Sequence, residues 1–325
     1  MGRYFAIRIG RAALTIVLVV TFAFVVLRLS GDPALMILGP EAPPEVLAAF
    51  RKAWGLDDPI WFQYLDYFGA IAKGELGRSM RDGRPAIELV LERIPATLAL
   101  TLPAFFFKIA LGIPAGIYAA LHRGSGIDRA VMMTAVAGFT VPSFVLALIL
   151  VLVFAVQLGW LPSGGRGATG ELLGVHWSFL TRDGLIHLIL PALNLSLFKV
   201  SLVLRLTRAG VLEVMPLDYV KFARAKGLTE FRVIGVHVLK NIMIPVVTVI
   251  GLEFGSVIAF SVVTESIFSW PGTGKLIIDS INVLDRPIIV AYLMMIVVVF
   301  VSINLIVDLV YTALDPRVRL EAQEA

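Results

Sequence analysis

Four ionisable residues sit where the sequence gives them apolar neighbours. Lys108, Lys199 and Glu253 fall near the middle of long hydrophobic runs, and Asp308 falls towards the end of another. A charge at the centre of a bilayer costs about 2.5–3.5 kcal/mol even on lenient insertion scales, so such residues face a bundle interior, a partner charge or a water-filled path. Two readings stay open. Either the lysines snorkel to the interface and the run boundaries are offset, or Glu253 pairs with Lys199 along a polar path. Asp308 is the weaker candidate partner.

Other chemistry finds little footing. Gly165-x-Gly167-x-x-Gly170 has the spacing of a dinucleotide fingerprint, but no strand pattern leads in and no helix pattern follows, so a flexible loop is expected. Gly272-Thr273-Gly274-Lys275 resembles the end of a phosphate-binding loop, yet Ser269 stands where a glycine is needed and Leu276 where a hydroxyl is needed. His122, His176, His187 and His237 lack the His-Glu-x-x-His spacing, and no serine occupies a Gly-x-Ser-x-Gly elbow. The four are expected to be interfacial or packing residues. With no cysteine, disulfides and thiolate metal sites are excluded. The expectation is a chain that is not an enzyme and holds no cofactor of its own.

The elements that must carry these residues are membrane helices. Of the 325 residues, 58% are hydrophobic and 16% charged, with mean hydropathy +0.88. Soluble domains carry roughly 25% charged residues, so this surplus must face something other than water. The net charge of +4 does not mark a nucleic-acid binder. About 20 apolar residues cross a bilayer as a helix. Six stretches qualify: Ile9–Leu29, Ala96–Leu121, Ala130–Leu158, Ile186–Leu206, Ile242–Thr264 and Ile288–Leu314. The third exceeds one span, and its first turns, Asp128 to about Gly138, are expected near the interface. Pro103, Pro114, Pro142 and Pro191 interrupt spans. The first stretch is too long for a signal-peptide core and lacks a small-x-small cleavage site, so it is expected to stay as a span.

Charge then sets the orientation. Arg3, Arg8 and Arg11 precede the first span, Arg123 and Arg129 follow the second, and Arg317 and Arg319 lie in the tail. Arg205, Arg208, Lys221, Arg224, Lys226, Arg232 and Lys240 follow the fourth. The alternate loops are poorer, holding Arg166, Arg182, Lys275 and Arg286. Basic residues accumulate in the cytoplasm, so both termini are expected there in a multi-pass inner-membrane protein. The segment 31–95 then lies outside. Pro43-Pro44, a helical pattern ending at Gly55, and the aromatics Trp61, Phe62, Tyr64, Tyr67 and Phe68 make it an ordered cap rather than a linker. The expected organisation is all-α: 1–30 with the first span, 31–95 outside, 96–314 as the five-helix body with a loop at about 211–241, and a tail at 315–325.

That loop is the informative segment. Pro216 precedes Asp218, read as an N-cap for a helix over Tyr219–Lys226, with Gly227 as the left-handed residue that closes it. Tyr219, Phe222, Ala223 and Lys226 share one mostly apolar face, while Lys221, Arg224 and Ala225 project elsewhere. A short amphipathic helix of this kind either rests on the membrane surface or inserts into a partner's groove.

Asp218-Tyr219-Val220 with Ala223-Arg224-Ala225-Lys226-Gly227-Leu228 resembles the EAA loop of binding-protein-dependent ABC permeases, and above all the dipeptide/oligopeptide branch. The likeness covers essentially the whole chain. It includes Gly55-Leu56-Asp57-Asp58-Pro59, Gly74-Glu75-Leu76-Gly77-Arg78-Ser79, Arg93-Ile94-Pro95-Ala96-Thr97-Leu98, Pro142-Ser143-Phe144, Leu158-Gly159-Trp160-Leu161-Pro162, Phe268-Ser269-Trp270-Pro271-Gly272 and Leu314-Asp315-Pro316-Arg317. Lys221 and Phe222 depart from the general pattern, which has an acid and an alanine there. The resemblance implies a type I importer permease working with a second homologous permease, two ATPases that bind the ATP, and an extracytoplasmic solute-binding protein. It also implies that Asp218 to Leu228 couples the spans to the ATPases. The resembled family is expected to have apolar or merely polar residues at Lys108, Lys199 and Glu253, so these charges are features of this chain, and a pair of Glu253 with Lys199 lining the path would bias it towards zwitterionic or charged peptides. An ion-gradient-driven secondary transporter is the alternative. It predicts broken helices in matched halves, which the proline positions do not give.

Overall fold

A computed structural model describes residues 2–314. The side chains of 2–9, 139, 198, 244, 248, 252 and 307–314 lie outside the described set, and with them the carboxylate of Asp308. Arg3, Arg8, Arg317 and Arg319, used above for orientation, also fall there. In chain order the helices are α1 (Gly2–Leu29), α2 (Pro33–Leu38), α3 (Pro44–Ala53), α4 (Ile60–Ala72), α5 (Ala86–Leu121), α6 (Gly126–Thr140) and α7 (Ser143–Leu150). Strands β1 (Gly170–Leu172) and β2 (Val175–Trp177) follow, then α8 (Arg182–Val214), α9 (Asp218–Ala225), α10 (Glu230–Arg232), α11 (Leu239–Ile267), α12 (Thr273–Asn282) and α13 (Arg286–Leu314).

Among the described residues, four helices are long and apolar enough to cross a membrane: Gly10–Leu29, Ala86–Leu121, Pro245–Ile267 and Arg286–Ile306. Two bent pairs bring the total to six. Gly126–Gly138 and Ser143–Gln157 meet at 105°, and Arg182–Leu197 and Lys199–Val214 meet at 51°. The first bend has a local cause. Val141 is extended (ψ 125°), as the residue before a proline must be, so the helix stops and restarts after Pro142. The third stretch is therefore two helices that part at Val141, a break the sequence reading did not place. The second bend lies past Pro191, where the Ser196 hydroxyl donates back to the Leu193 carbonyl (3.0 Å) and competes with the helical ladder. Pro103 and Pro114, read as interruptions, sit inside the unbroken α5.

The chain forms two compact units. One holds the stretch through Thr97 together with Pro271–Val301. In it, the predicted start at Pro43-Pro44 and stop at Gly55 hold: α3 runs Pro44–Ala53 and Gly55 has φ +58°. The Asp32 carboxylate caps α2 through the Ala34 amide (3.0 Å) and accepts from Arg51 Nε of α3 (2.9 Å). α5 begins at Ala86, inside the segment 31–95 and ahead of the expected span start at Ala96. The loop before α5 is tied to the turn before α13, where Ser79 Oγ and the Met80 amide donate to Asp285 (2.5 and 3.1 Å). Burial pushes the Asp285 carboxyl above its ordinary range, against the pull of these donors. The Gly272-Thr273-Gly274-Lys275 string opens α12, and the amide of its buried Thr273 donates to Thr97 Oγ1 (2.8 Å).

The other unit holds Leu98–Trp270 with the stretch from Ser302. Here the glycine string read as a flexible loop is ordered instead. Gly170 opens β1, which pairs antiparallel with β2 in the register Gly170–Trp177. The Gly165 amide donates to the Phe268 carbonyl (2.7 Å), and the Ala168 amide donates to Asp183 (2.6 Å). Small residues are needed for this close approach, since a Cβ on Gly164 would stand 2.7 Å from the Phe268 carbonyl oxygen. Periodicity is blind to such contacts.

Candidate functional site

The loop helix forms, but one residue earlier than its sequence suggests. It spans Asp218–Ala225, so Leu217 holds the extended N-cap position and Asp218 is the first helical residue. Among the described residues Asp218 makes no capping bond. Its carboxylate accepts from Lys221 Nζ (3.0 Å) and adds negative charge to the first turn, where the helix dipole favours it. The C-terminal reading holds. Gly227 has φ +76°, its amide donates to the Arg224 carbonyl (2.9 Å), and the Leu228 amide donates to the Ala223 carbonyl (3.3 Å). That pair of bonds is the Schellman closure, which needs a left-handed residue at its turn.

Burial redraws the predicted face. Val220 and Ala223 point inward at 0% and 4% exposure, packing with Val211 of α8, Val233, Val238, and Ile242 of α11. Leu228 and Met215 cover the edge of that cluster. Burying a valine side chain stabilises by about 1.5–3 kcal/mol, so α9 is clamped to the ends of two spans. Ala223 therefore belongs to the inner face, and Val220 was missing from the predicted set. The outer face offers Tyr219 and Phe222, with Lys226 Nζ 4.6 Å above the Phe222 ring. Ala225 is also exposed. Arg224 donates twice to Glu230 (2.7 and 3.1 Å), tying α9 to the start of α10. That hydrogen bonding pulls the Glu230 carboxyl below its ordinary range.

The helices below α9 are locked by contacts that sequence reading missed. Arg208 of α8 donates in a bidentate fork to Asp128 of α6 (2.7 and 2.8 Å), and Asp128 also accepts from the Gly124 amide (2.9 Å). The available signal was Ser125-x-x-Asp128, a helix-start signature, and Ser125 Oγ does accept from the Asp128 amide (3.1 Å). Gly112 and Gly116 let α5 lie against α8. A Cβ on Gly116 would stand 2.6 Å from the Leu204 carbonyl oxygen, and one on Gly112 would stand 2.9 Å from Val203 Cγ1. Two glycines four apart are the usual device for close helix packing in lipid.

Of the intramembrane charges, three come together and one lies outside the described residues. Lys199 Nζ stands 3.4 Å from Glu253 Oε2 across α8 and α11, with both side chains about one-sixth exposed. Ser256 Oγ donates to the same carboxylate oxygen (3.1 Å), and Lys199 lies 4.8 Å above the Phe260 ring. Lys108 of α5 is fully buried, 5.0 Å above the Phe105 ring. Its ammonium has no hydrogen-bond partner among the described residues, although the charges of Glu253 and Lys199 both reach it. One carboxylate thus faces two cations.

Bent spans, a clamped loop helix and a charge cluster inside the bundle describe a polytopic helical membrane protein. The family comparisons agree. Residues 112–320 match the model described as binding-protein-dependent transport system inner membrane component, and residues 1–101 match its N-terminal companion. The chain belongs to the family of binding-protein-dependent transport system inner membrane components, and is a multi-pass inner-membrane permease subunit. It is 40% identical to the glutathione transport system permease protein GsiC of Escherichia coli strain K12, over 94% of each chain. It is also 40% identical to the di/tripeptide transport system permease protein DppB of Pseudomonas aeruginosa strain UCBPP-PA14, over 98% of this chain and 99% of that one. Among solved structures, a chain of the MetNI methionine ABC transporter in an inward-facing conformation shares the fold. Its TM-score is 0.54 at 17% identity, covering 71% of this chain and 98% of that one. Membership of this family sets aside the ion-gradient alternative.

Proposed function

We propose that this chain forms half of the translocation path of an ATP-driven importer for short peptides, glutathione included among them. A second homologous permease supplies the other half. Two cytoplasmic ATPases bind and hydrolyse the ATP, so this chain needs no cofactor, and an extracytoplasmic binding protein delivers the solute. Both termini and the loop at about 211–241 face the cytoplasm. The segment after the first span, read as extracytoplasmic over 31–95, meets the binding protein or the partner permease. The names of the 40%-identical relatives support the substrate class, since both handle short peptides.

One observation carries the mechanism. α9 is anchored by Val220 and Ala223 to the ends of α8 and α11 while its outer face, Tyr219 and Phe222, stays bare. A rigid helix held at one face and available at the other is a lever that both the spans and an ATPase can bias. Asp218 to Leu228 serve as that lever, with Gly227 setting its exit.

Gly227→Val tests this. A Cβ at Gly227 meets nothing within 4 Å, so the cost is purely conformational. Holding a β-branched residue at this φ strains the turn by about 1–3 kcal/mol. In the reconstituted transporter, membrane insertion should stay normal while substrate-stimulated ATP turnover falls steeply. Gly227→Asn, which tolerates left-handed backbone, should retain most of it. Wild-type stimulation in the valine variant would sink the lever.

Orientation has its own test, made clean by the absence of cysteine. In intact cells an impermeant thiol reagent should label a cysteine placed at Ser79→Cys only after unfolding, because Ser79 is buried. Ser163→Cys should label directly, and Ala225→Cys only after the cells are opened. Direct labelling of Ala225→Cys would reverse the topology.

A further inference from the structure

The helix α4 carries apolar side chains on both of its faces, and Asp66 is its single charge. The inner face packs on α1. The Tyr64 ring meets Phe24 edge-on at 5.2 Å, the Tyr67 ring lies 6.3 Å from Phe24, and Gln63 accepts from Arg28 Nε (3.0 Å). On the outer face Trp61, Phe62 and Leu65 are each more than half exposed, and Gly69 and Ala72 continue the row. Asp66 stands at the flank of that row and lines a polar cavity with Arg28 and Gln63. A helix apolar all round is expected only where water does not reach its bare side.

α1 fixes the depth of α4. The Tyr64 hydroxyl is hydrogen-bonded to Thr21 Oγ1 (2.9 Å). Thr21 lies about two turns, or about 12 Å, before the end of the span Gly10–Leu29. A hydrocarbon core is about 30 Å thick, so this bond falls inside it, and Phe24 falls near its edge. α1 is itself largely bare, since 22% of its most apolar stretch is buried within the chain. The lipid that covers α1 therefore reaches α4 at the same level. A protein docking from the water would have to descend past the headgroups to touch Trp61 or Leu65. Charges flank the helix at both ends, Asp57 and Asp58 before it and Lys73 and Glu75 after it. That pattern suits a helix lying in the plane of the interface, where tryptophan is also enriched.

We propose that α4 is an interfacial membrane anchor, with Trp61, Phe62 and Leu65 set among the outermost carbons of the acyl chains beside the end of α1. This narrows the contact proposed above for the whole segment, leaving α2, α3 and the loop before α5 for a binding protein or partner permease. It rests on α1 being a span and not on what the chain transports.

The test uses the full-length chain with its co-expressed subunits, their cysteines replaced, reconstituted in phosphatidylcholine vesicles without a binding protein. This chain has no cysteine of its own, so a nitroxide can be attached singly at Trp61→Cys, Phe62→Cys or Leu65→Cys. Electron paramagnetic resonance then reads collisions with oxygen, which concentrates in lipid, and with a nickel chelate, which stays in water. The oxygen-to-chelate ratio at each of the three should exceed several-fold that of a label at Glu45→Cys, exposed on α3. The positions are exposed, so the labels should leave the fold intact, and any two of the three suffice. Ratios no higher than at Glu45→Cys would put the face in water and overturn the anchor. Low collision rates with both reagents would mean that a second permease covers the face, and would overturn it equally. The collisions involve neither ATP nor solute, so failure of the importer reading would leave a positive result standing.

Discussion

Glu253→Ala alone should lower the yield of folded, membrane-inserted protein more than Glu253→Ala combined with Lys199→Ala. The single change removes a carboxylate that faces two lysines, with the Lys199 ammonium 3.4 Å from it in the intact protein. Removing one partner of a buried pair costs more than removing both, because the remaining charge has no compensation. An uncompensated lysine near mid-bilayer costs about 2.5–3.5 kcal/mol. One-sixth exposure of both side chains argues for the lower end. Recovery in the double variant should be incomplete, since Lys108 remains fully buried beside the lost acid. Adding Lys108→Met should restore more. Size-exclusion profiles of the detergent-extracted variants read the order directly. Strictly additive losses at Glu253 and Lys199 would refute the coupling, and with it the idea that this cluster biases the path towards charged peptides.

Gly116→Val should unfold or splay the α5–α8 contact. A Cβ there would sit 2.6 Å from the Leu204 carbonyl oxygen and 2.8 Å from Thr207 Cβ, and the first of these is backbone that cannot turn aside. Overpacking of this kind costs about 1–3 kcal/mol, and a main-chain obstacle puts the change at the upper end. Gly116→Ala should lose less than valine, and both should lose more than an alanine at Gly235, where a Cβ meets nothing within 4 Å. The measurement is thermal inactivation of the reconstituted complex. Equal stability of the Gly116→Val and Gly235→Ala variants would mean that the two helices do not depend on this crossing.

Both predictions turn on contacts of different legibility. The pairing of Lys199 with Glu253 could be anticipated, because charges in apolar runs have few alternatives to one another. The packing of Gly116 could not, since the clashing atoms belong to Leu204 and Thr207, and the two glycines of α5 announce a close approach without naming the partner. Asp128 and Arg208 make the same point across 80 residues of sequence. Each looked like an ordinary residue of its own segment.

The loop helix divides along the same line. Its existence, its length and its closure at Gly227 follow from local chemistry: a proline before it, helix formers within it, and a glycine where φ must be positive. Its inner face does not. Val220 and Ala223 point inward because α8 and α11 end beside them, and an eight-residue helix carries too few turns for periodicity alone to choose a face. The same limit moved its start from Tyr219 to Asp218.

By itself the sequence determined that this is a multi-spanning membrane helix protein, roughly where the spans lie, and that Lys108, Lys199 and Glu253 lie inside them. Hydrophobic length and the cost of charge in lipid act on each residue separately, so composition and spacing suffice for them. Tertiary structure alone decided where spans bend, which face of α9 is clamped, that Gly164 and Gly165 pack against Phe268 ahead of a hairpin opened by Gly170, and that Arg208 reaches Asp128. Those outcomes depend on backbone and side chains brought together from distant parts of the chain, and no local pattern encodes the neighbour.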